Sequence, residues 1–214
     1  MKNEFLSKVF RWFGLGLLVT FLVAYYVSTN LYLLSLIFSG AGYIIIILLE
    51  LGLAVWLSTR IRKMQSGTAK ALYLGYSALT GLTLSSVFIV YELTSIIWIF
   101  LASALVFGIF SLLGKSEKID LSHYGVYLFI ALLGAIILEI INIFLMNQTL
   151  DIILCVFVLG IFVSYVAYDI QKILRYYEET DNMAVIGAFN LYLDFINIFL
   201  RLLRLFGKER DKYY

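Results

Sequence analysis

Seven long apolar segments constrain this chain more than any other feature of its sequence. Each reaches the ~17–25 residues that an α-helix needs to cross a hydrocarbon layer ~30 Å thick. We therefore predict an all-α integral membrane protein, folded as a single domain of seven transmembrane helices over residues 1–214. The segments are residues 9–28, 41–59, 68–91, 94–113, 121–146, 151–174 and 183–206. Residues 30–40 are apolar but interrupted, which predicts an interfacial loop or a short helix.

The composition limits where any function can reside. Hydrophobic residues make up 63% of the chain and charged residues 14%, against roughly 45–50% apolar and 25% charged in soluble domains. No polar segment is long enough for a separate soluble domain, so the activity belongs in the bilayer or at its surfaces. The formal net charge of +2 is too small to indicate nucleic-acid binding. Membrane lipid is the expected partner.

Basic residues occur in alternate connections between the segments. They are Lys2, Lys8 and Arg11, then Arg60, Arg62, Lys63 and Lys70, then Lys115 and Lys118, then Lys172 and Arg175. By the positive-inside rule, the N-terminus and these connections are predicted to be cytoplasmic. Seven full crossings would place the basic residues after 207 outside, so either the first six helices fix the orientation or the last segment is tilted or re-entrant.

Small residues in the third segment predict close helix contacts. They recur at steps of four in two sets, Gly67, Ala71 and Gly75 and then Ser77, Gly81 and Ser85. The chain contains no proline, so any helix break must come from glycine, polar pairs or packing.

The last segment carries a polar stripe along one helical face. The residues are Asn190, Asp194, Asn197, Arg201 and Arg204, at steps of four, three, four and three. A charged side chain near the bilayer centre costs at least ~2.5–3.5 kcal/mol. The stripe must therefore face protein or water, which places this helix in the middle of a bundle and suggests a route or a sensor for something charged.

Two further acids lie at membrane depth in other segments. Glu50 is in the second segment, and Glu139 is in the fifth, with Asn142 one turn later. Each is either a hydrogen-bonded packing residue or part of the lining of an ion path.

Asp169 and Asp194 lie in the sixth and seventh segments, which are joined by a short polar turn at residues 178–181. Such a turn makes the two helices antiparallel and adjacent, so the two carboxylates can meet. In a low-dielectric site the pair would share a proton and act as a proton sensor. A guanidinium from Arg60 or Arg62 would oppose this effect. Alternatively, Asp169 is solvated at its helix end and Asp194 is a packing residue.

Signatures of enzymes are absent from the sequence. It contains no H-E-x-x-H, G-x-S-x-G or P-loop motif. An intramembrane aspartyl protease also uses two buried carboxylates, but neither aspartate is followed by the glycine-containing context of such a site. We therefore expect no enzyme activity and no cofactor.

The segments YDIQKI at 168–173 and AFNLYLDFINIFLRLLR at 188–204 resemble the closing signature of the Bax inhibitor-1 (transmembrane Bax inhibitor motif) family, in a bacterial-type member. The segment count and TGLT at 80–83 give weaker support. The resemblance implies six helices around a central seventh. It also implies that Asp169 and Asp194 form a di-aspartyl pH sensor, and a weak, transient Ca²⁺ site, in a calcium-leak pathway. An arginine of the second helix, Arg60 or Arg62, would act as the latch.

We therefore expect a monomeric, pH-sensitive calcium-leak channel of the bacterial plasma membrane, with Ca²⁺ as the permeant ion and protons as the signal. The candidate pathway residues are Glu50, Glu139, Asn190, Asn197 and Arg201. One alternative is a scaffold or regulator of another membrane protein, such as a quality-control protease, without transport activity. Another is a proton-coupled transporter that uses the same acids as relays.

Overall fold

The structure, a computed structural model, describes residues 2–40, 42–116 and 120–210, and the side chain of Arg62 lies outside the described part. Within these ranges the chain is built of α-helices joined by short connections. The helices are α1 (Lys2–Ser28), α2 (Leu31–Phe38), α3 (Gly42–Arg60), α4 (Ser66–Leu84), α5 (Val87–Val90), α6 (Leu93–Lys115), α7 (Tyr124–Leu145), α8 (Gln148–Tyr176) and α9 (Asp181–Phe206). A short 3₁₀ helix, Ile61–Lys63, follows α3.

Among the described residues, seven spans are long and apolar enough to cross a membrane, and α4 with α5 counts as one of them. They correspond in order to the seven predicted segments, so the all-α, seven-span prediction is confirmed. Of the seven, α9 is the most buried, with 72% of its apolar stretch buried, as a central helix requires.

Two local features follow directly from side chains. Residues 30–40 contain the short helix α2, and the Asn30 side chain caps it by accepting hydrogen bonds from two backbone amides at 3.1 and 3.2 Å. The third span is interrupted at Ser85 and Ser86, whose hydroxyls donate to backbone carbonyls three residues earlier. Such bonds compete with the helical hydrogen-bond pattern, so a polar pair breaks this helix where proline is absent.

The contacts of the described residues group them into two compact units. Unit 1 comprises the described residues of Met1–Leu93, Glu178–Tyr192 and Glu209–Tyr214. Unit 2 comprises those of Thr94–Tyr177 and Leu193–Lys208. Helix α9 belongs to unit 1 as far as Tyr192 and to unit 2 from Leu193. The single domain inferred from the sequence stays a prediction.

In unit 1, α1 packs closely on α4. Thr20 Oγ1 donates to the carbonyl oxygen of Ser77 at 2.9 Å, and a Cβ added at Gly81 would lie 2.8 Å from the carbonyl oxygen of Thr20. The second predicted set of small residues, 77, 81 and 85, is indeed buried. The first set was predicted wrongly, because residues 67, 71 and 75 are exposed and thus point away from the protein.

An acidic residue joins three helices of unit 1 at the start of α9. The Asp181 carboxylate forms ion pairs with Lys8 of α1 and with Lys70 of α4, the latter at 2.7 Å. Its neighbour Asn182 donates to the backbone carbonyl of Met64. A negative charge in the first turn of a helix also interacts favourably with the helix dipole, so this cluster stabilises the beginning of α9 against α1 and α4.

In unit 2, α6 approaches α8 at a glycine. A Cβ added at Gly114 would lie 2.3 Å from the carbonyl oxygen of Ala167 and 2.8 Å from its Cα. Nearby rings pack edge to face, with Phe107 of α6 5.6 Å from Phe195 of α9 between centroids. The α6–α8 contact therefore depends on the absence of a side chain at position 114.

The segment before α7 is tied to the end of α8. Asp120 pairs with Arg175 at 2.8 Å and accepts hydrogen bonds from the hydroxyl and the backbone amide of Ser122 at 2.6 and 2.9 Å. The backbone amide of Leu121 donates to the Gln171 side chain at 2.6 Å. The hydrogen bonds from Ser122, with the charge of Arg175, lower the pKa of the exposed Asp120 carboxyl below its usual range.

Candidate functional site

The two aspartates singled out by the sequence both lie in unit 2, Asp169 on α8 and Asp194 on α9. Their residues are 7% and 5% exposed, and their carboxylates are close enough to interact electrostatically. Among the described residues, Asp194 Oδ2 has no hydrogen-bond partner although it is buried. The structure therefore brings the two acids into one buried neighbourhood, as their helices' antiparallel arrangement predicts. Their role as a sensor stays a prediction.

Two other residues of α8 act on both acids. Tyr165, one turn before Asp169, and Lys172, one turn after it, interact electrostatically with each carboxylate. The ammonium of Lys172 also lies 5.4 Å from the ring centroid of Tyr168, a cation–π contact. From the sequence, Lys172 was predicted only to mark a cytoplasmic connection. Its spacing of three from Asp169 on one helix was the signal that could have found it.

The two latch candidates lie after and at the end of α3 in unit 1. Arg60 is the last residue of α3 and its side chain is exposed. Arg62 belongs to the 3₁₀ helix, and its side chain lies outside the described part of the chain. The assignment of a latch to either arginine stays a prediction.

Glu50 is held by hydroxyl groups in unit 1. Its two carboxylate oxygens accept hydrogen bonds from Thr80 Oγ1 at 2.7 Å and Thr83 Oγ1 at 3.0 Å. This geometry agrees with the packing alternative, in which Glu50 links α3 to α4. Asn190, another predicted pathway residue, is half-buried in the unit 1 part of α9.

Unit 2 contains a cavity of about 760 Å³ near the turn between α7 and α8. Of the predicted pathway residues, Glu139, Asn197 and Arg201 line it. Its other lining residues are Asn142, Ile143, Met146, Asn147, Gln148, Asp151, Leu200 and Arg204. We call this space the unit 2 vestibule.

Two ion pairs lie in the wall of the unit 2 vestibule. Arg201 of α9 donates from both terminal nitrogens to the two carboxylate oxygens of Glu139 of α7, at 2.5 and 3.2 Å. Arg204 of α9 pairs with Asp151 of α8. Arg201 and Glu139 are only 17% and 28% exposed, whereas Arg204 is 50% exposed. Every charge of the vestibule wall is thus matched by an opposite one, and the fork geometry of the deeper pair favours specific recognition.

The polar stripe of α9 runs from the wall of the vestibule to Asp194. Asp194, Asn197 and Arg201 follow one helical face, and Arg201 lies seven residues, or about 10 Å, from Asp194 along the axis. Asn197 lines the vestibule and donates to the carbonyl of Leu193 at 2.8 Å. Asn197 and Arg201 of the vestibule wall therefore belong to the same face of α9 as the buried Asp194.

Comparison with known proteins gives consistent matches over nearly the whole chain. A family model described as "Inhibitor of apoptosis-promoting Bax1" matches residues 2–211. Inner membrane protein YbhL of Escherichia coli (strain K12) is 39% identical over 217 residues, covering 97% of this chain and 93% of that protein. An uncharacterized protein of Borreliella burgdorferi is 39% identical, covering 99% and 94%. An uncharacterized membrane protein of Streptococcus pyogenes serotype M1 is 34% identical, covering 97% and 93%.

Proposed function

The chain belongs to the Bax inhibitor-1 family, and from this premise we propose that it is a pH-sensitive calcium-leak channel of the bacterial plasma membrane. Asp169 and Asp194 form its proton sensor. The observation that supports this proposal is the pair of buried carboxylates within electrostatic range of each other, one of which has an oxygen without a hydrogen-bond partner in the described residues.

Two carboxylates in such a place make a proton-dependent switch. Like charges in a low-dielectric site cannot both ionise readily, so the pair holds one shared proton and titrates as a unit. Loss of that proton adds repulsion between α8 and α9, and Lys172 is the nearby cation that compensates it. A change of pH therefore alters the relative free energy of two helix arrangements, one closed and one conducting.

The same side chains suit a leaking divalent cation. Ca²⁺ prefers oxygen ligands and takes six to eight of them. The two aspartates, with Asn197 on the same face of α9 as Asp194, supply a few oxygens for transient contact. A conduction pathway needs sites of this kind, which bind strongly enough for entry and weakly enough for release.

The decisive experiment measures Ca²⁺ entry into liposomes that contain the purified protein and an internal Ca²⁺ dye. The pH is equal on both sides and is varied between samples. We expect a Ca²⁺ flux that changes with pH in the wild type, and a flux without pH response in Asp169→Asn and Asp194→Asn. Asp120→Asn is the matched control, because it makes the same chemical change at an exposed carboxylate of unit 2.

Other results would point to the alternative functions. Equal traces from wild type, variants and empty vesicles would reject the channel and favour a scaffold that binds another membrane protein. Flux that requires a proton gradient rather than a given pH would favour a proton-coupled transporter.

A further inference from the structure

The Glu139–Arg201 pair of the unit 2 vestibule has no part in the proposed sensor. Both oxygens of Glu139 are used by the guanidinium, at 2.5 and 3.2 Å. Glu139 lies six residues, or about 9 Å, from the end of α7 at Leu145. The pair therefore lies well inside the span.

The position of this pair matters because of what lies on either side of it. On one side is the open part of the vestibule, with the more exposed Arg204–Asp151 pair. On the other side, along the same face of α9, are Asn197 and then Asp194, about 10 Å from Arg201. A cation that moved from the vestibule to Asp194 along this face would pass Glu139 and Arg201.

Charge decides whether such a cation can pass. A carboxylate held by a bidentate guanidinium is neutralised, and the arginine itself repels a cation. Removal of one partner from a partly buried pair leaves an uncompensated charge, and binding of a new counter-ion then becomes favourable. For a carboxylate in a cavity that Asn197 also lines, a hard divalent cation with oxygen ligands is a fitting new counter-ion.

We propose that Glu139 is a divalent-cation-binding carboxylate at one mouth of the leak pathway, and that Arg201 is its displaceable counter-ion. While Arg201 holds Glu139, this mouth is closed to cations. When Arg201 moves away, Glu139 offers two oxygens to Ca²⁺ on the way to Asp194. This inference rests on the proposed function, since it assigns a second site to the same pathway.

The first test measures binding and requires no conduction. Purified protein is equilibrated with radioactive Ca²⁺, and Arg201→Gln is compared with wild type. We expect Arg201→Gln to bind Ca²⁺ on the order of tenfold more tightly, because the carboxylate has lost its counter-ion. The double variant Arg201→Gln with Glu139→Gln is expected to lose this gain. Arg175→Gln is the matched control, since it removes the same charge from unit 2 at the Asp120 pair.

The second test measures Ca²⁺ flux in liposomes at a fixed pH. Arg201→Gln is expected to raise the flux, and Glu139→Gln is expected to leave the mouth blocked by an unpaired arginine and to lower it. Exchange of the two charges, by Glu139→Arg with Arg201→Glu, restores a neutral pair and is expected to return both flux and binding toward wild type. If Arg201→Gln does not fold, Arg201→Lys replaces it, because lysine keeps the charge but loses the bidentate geometry and should give an intermediate gain.

The outcomes separate this inference from the proposed function. Equal Ca²⁺ binding in wild type, Arg201→Gln and Arg175→Gln would overturn the Glu139 site even if the wild type conducts Ca²⁺ in a pH-dependent manner. Tighter binding that disappears in the double variant would support the site even if no flux is found, and the failure would then lie with the channel.

Discussion

Replacement of Gly114 by alanine tests whether the α6–α8 contact of unit 2 positions Asp169. The added Cβ would lie 2.3 Å from the carbonyl oxygen of Ala167 and 2.8 and 2.9 Å from its Cα and carbonyl carbon. The first distance is about 1 Å short of an ordinary contact. All three atoms belong to the backbone of α8, so no side chain can rotate away. The helices must therefore separate.

The expected cost follows from this separation. Overpacking of a close contact costs about 1–3 kcal/mol, and the rigid backbone partner favours the upper part of that range. Alanine is a better helix former than glycine by about 1 kcal/mol, which offsets part of the loss. Gly108→Ala is the matched control, because it lies on the same helix with nothing within 4 Å of the added Cβ. The free energies of unfolding of the two variants should thus differ by about 1–3 kcal/mol.

The assay has a stability part and a functional part. Chemical unfolding in detergent should rank Gly108→Ala at or above wild type and Gly114→Ala below it. Because Ala167 precedes Asp169 by two residues on α8, a displaced helix should also shift the pH at which Ca²⁺ flux changes. Equal unfolding free energies for the two variants would refute the packing argument. A normal pH response in a destabilised Gly114→Ala would show that the site does not depend on this contact.

Three further predictions concern other parts of the chain. Gly81→Ala should lower the free energy of unfolding, while Gly75→Ala, which meets nothing within 4 Å, should not; chemical unfolding checks both. Asp181→Asn should cost about 1 kcal/mol by the same measurement, since it breaks two partly exposed ion pairs. The pKa of Asp120 is lower in the folded protein than its ordinary value of 3.8, so the ionised carboxylate stabilises the fold above pH 3.8. This stabilisation is lost as the pH falls from 3.8 through the lowered pKa of the folded state. The difference in thermal stability between wild type and Asp120→Asn should therefore be present at neutral pH and vanish in acid.

The spans and the adjacency of α8 and α9 could be predicted because each depends on a strong local rule. Membrane thickness sets the length of an apolar segment. A polar face within such a segment must be buried, which is why the stripe on α9 predicted a helix that is indeed the most buried of the seven. The short turn at 178–181 predicted that α8 and α9 are antiparallel neighbours, so Asp169 and Asp194 could meet, and the family resemblance favoured this pair over separate roles.

The partners of the other polar residues could not be predicted, because they depend on how helices far apart in sequence are rotated. Glu139 and Arg201 are 62 residues apart, and nothing in either segment specifies that they face each other. Likewise, small residues at steps of four mark a potential contact face but not which face is used. Gly75 lies on the exposed side of α4 and Gly81 on the buried side.

The division of α9 between the two units has a consequence for how the protein is made. Translation delivers this helix after the other six spans, yet its residues as far as Tyr192 complete one unit and those from Leu193 complete the other. Before α9 leaves the ribosome, the inserted spans lack the surface that buries residues such as Tyr73 and Phe107. Nascent chains arrested before residue 181 should therefore remain accessible to proteases and chaperones in both halves, and release of the final helix should protect both together.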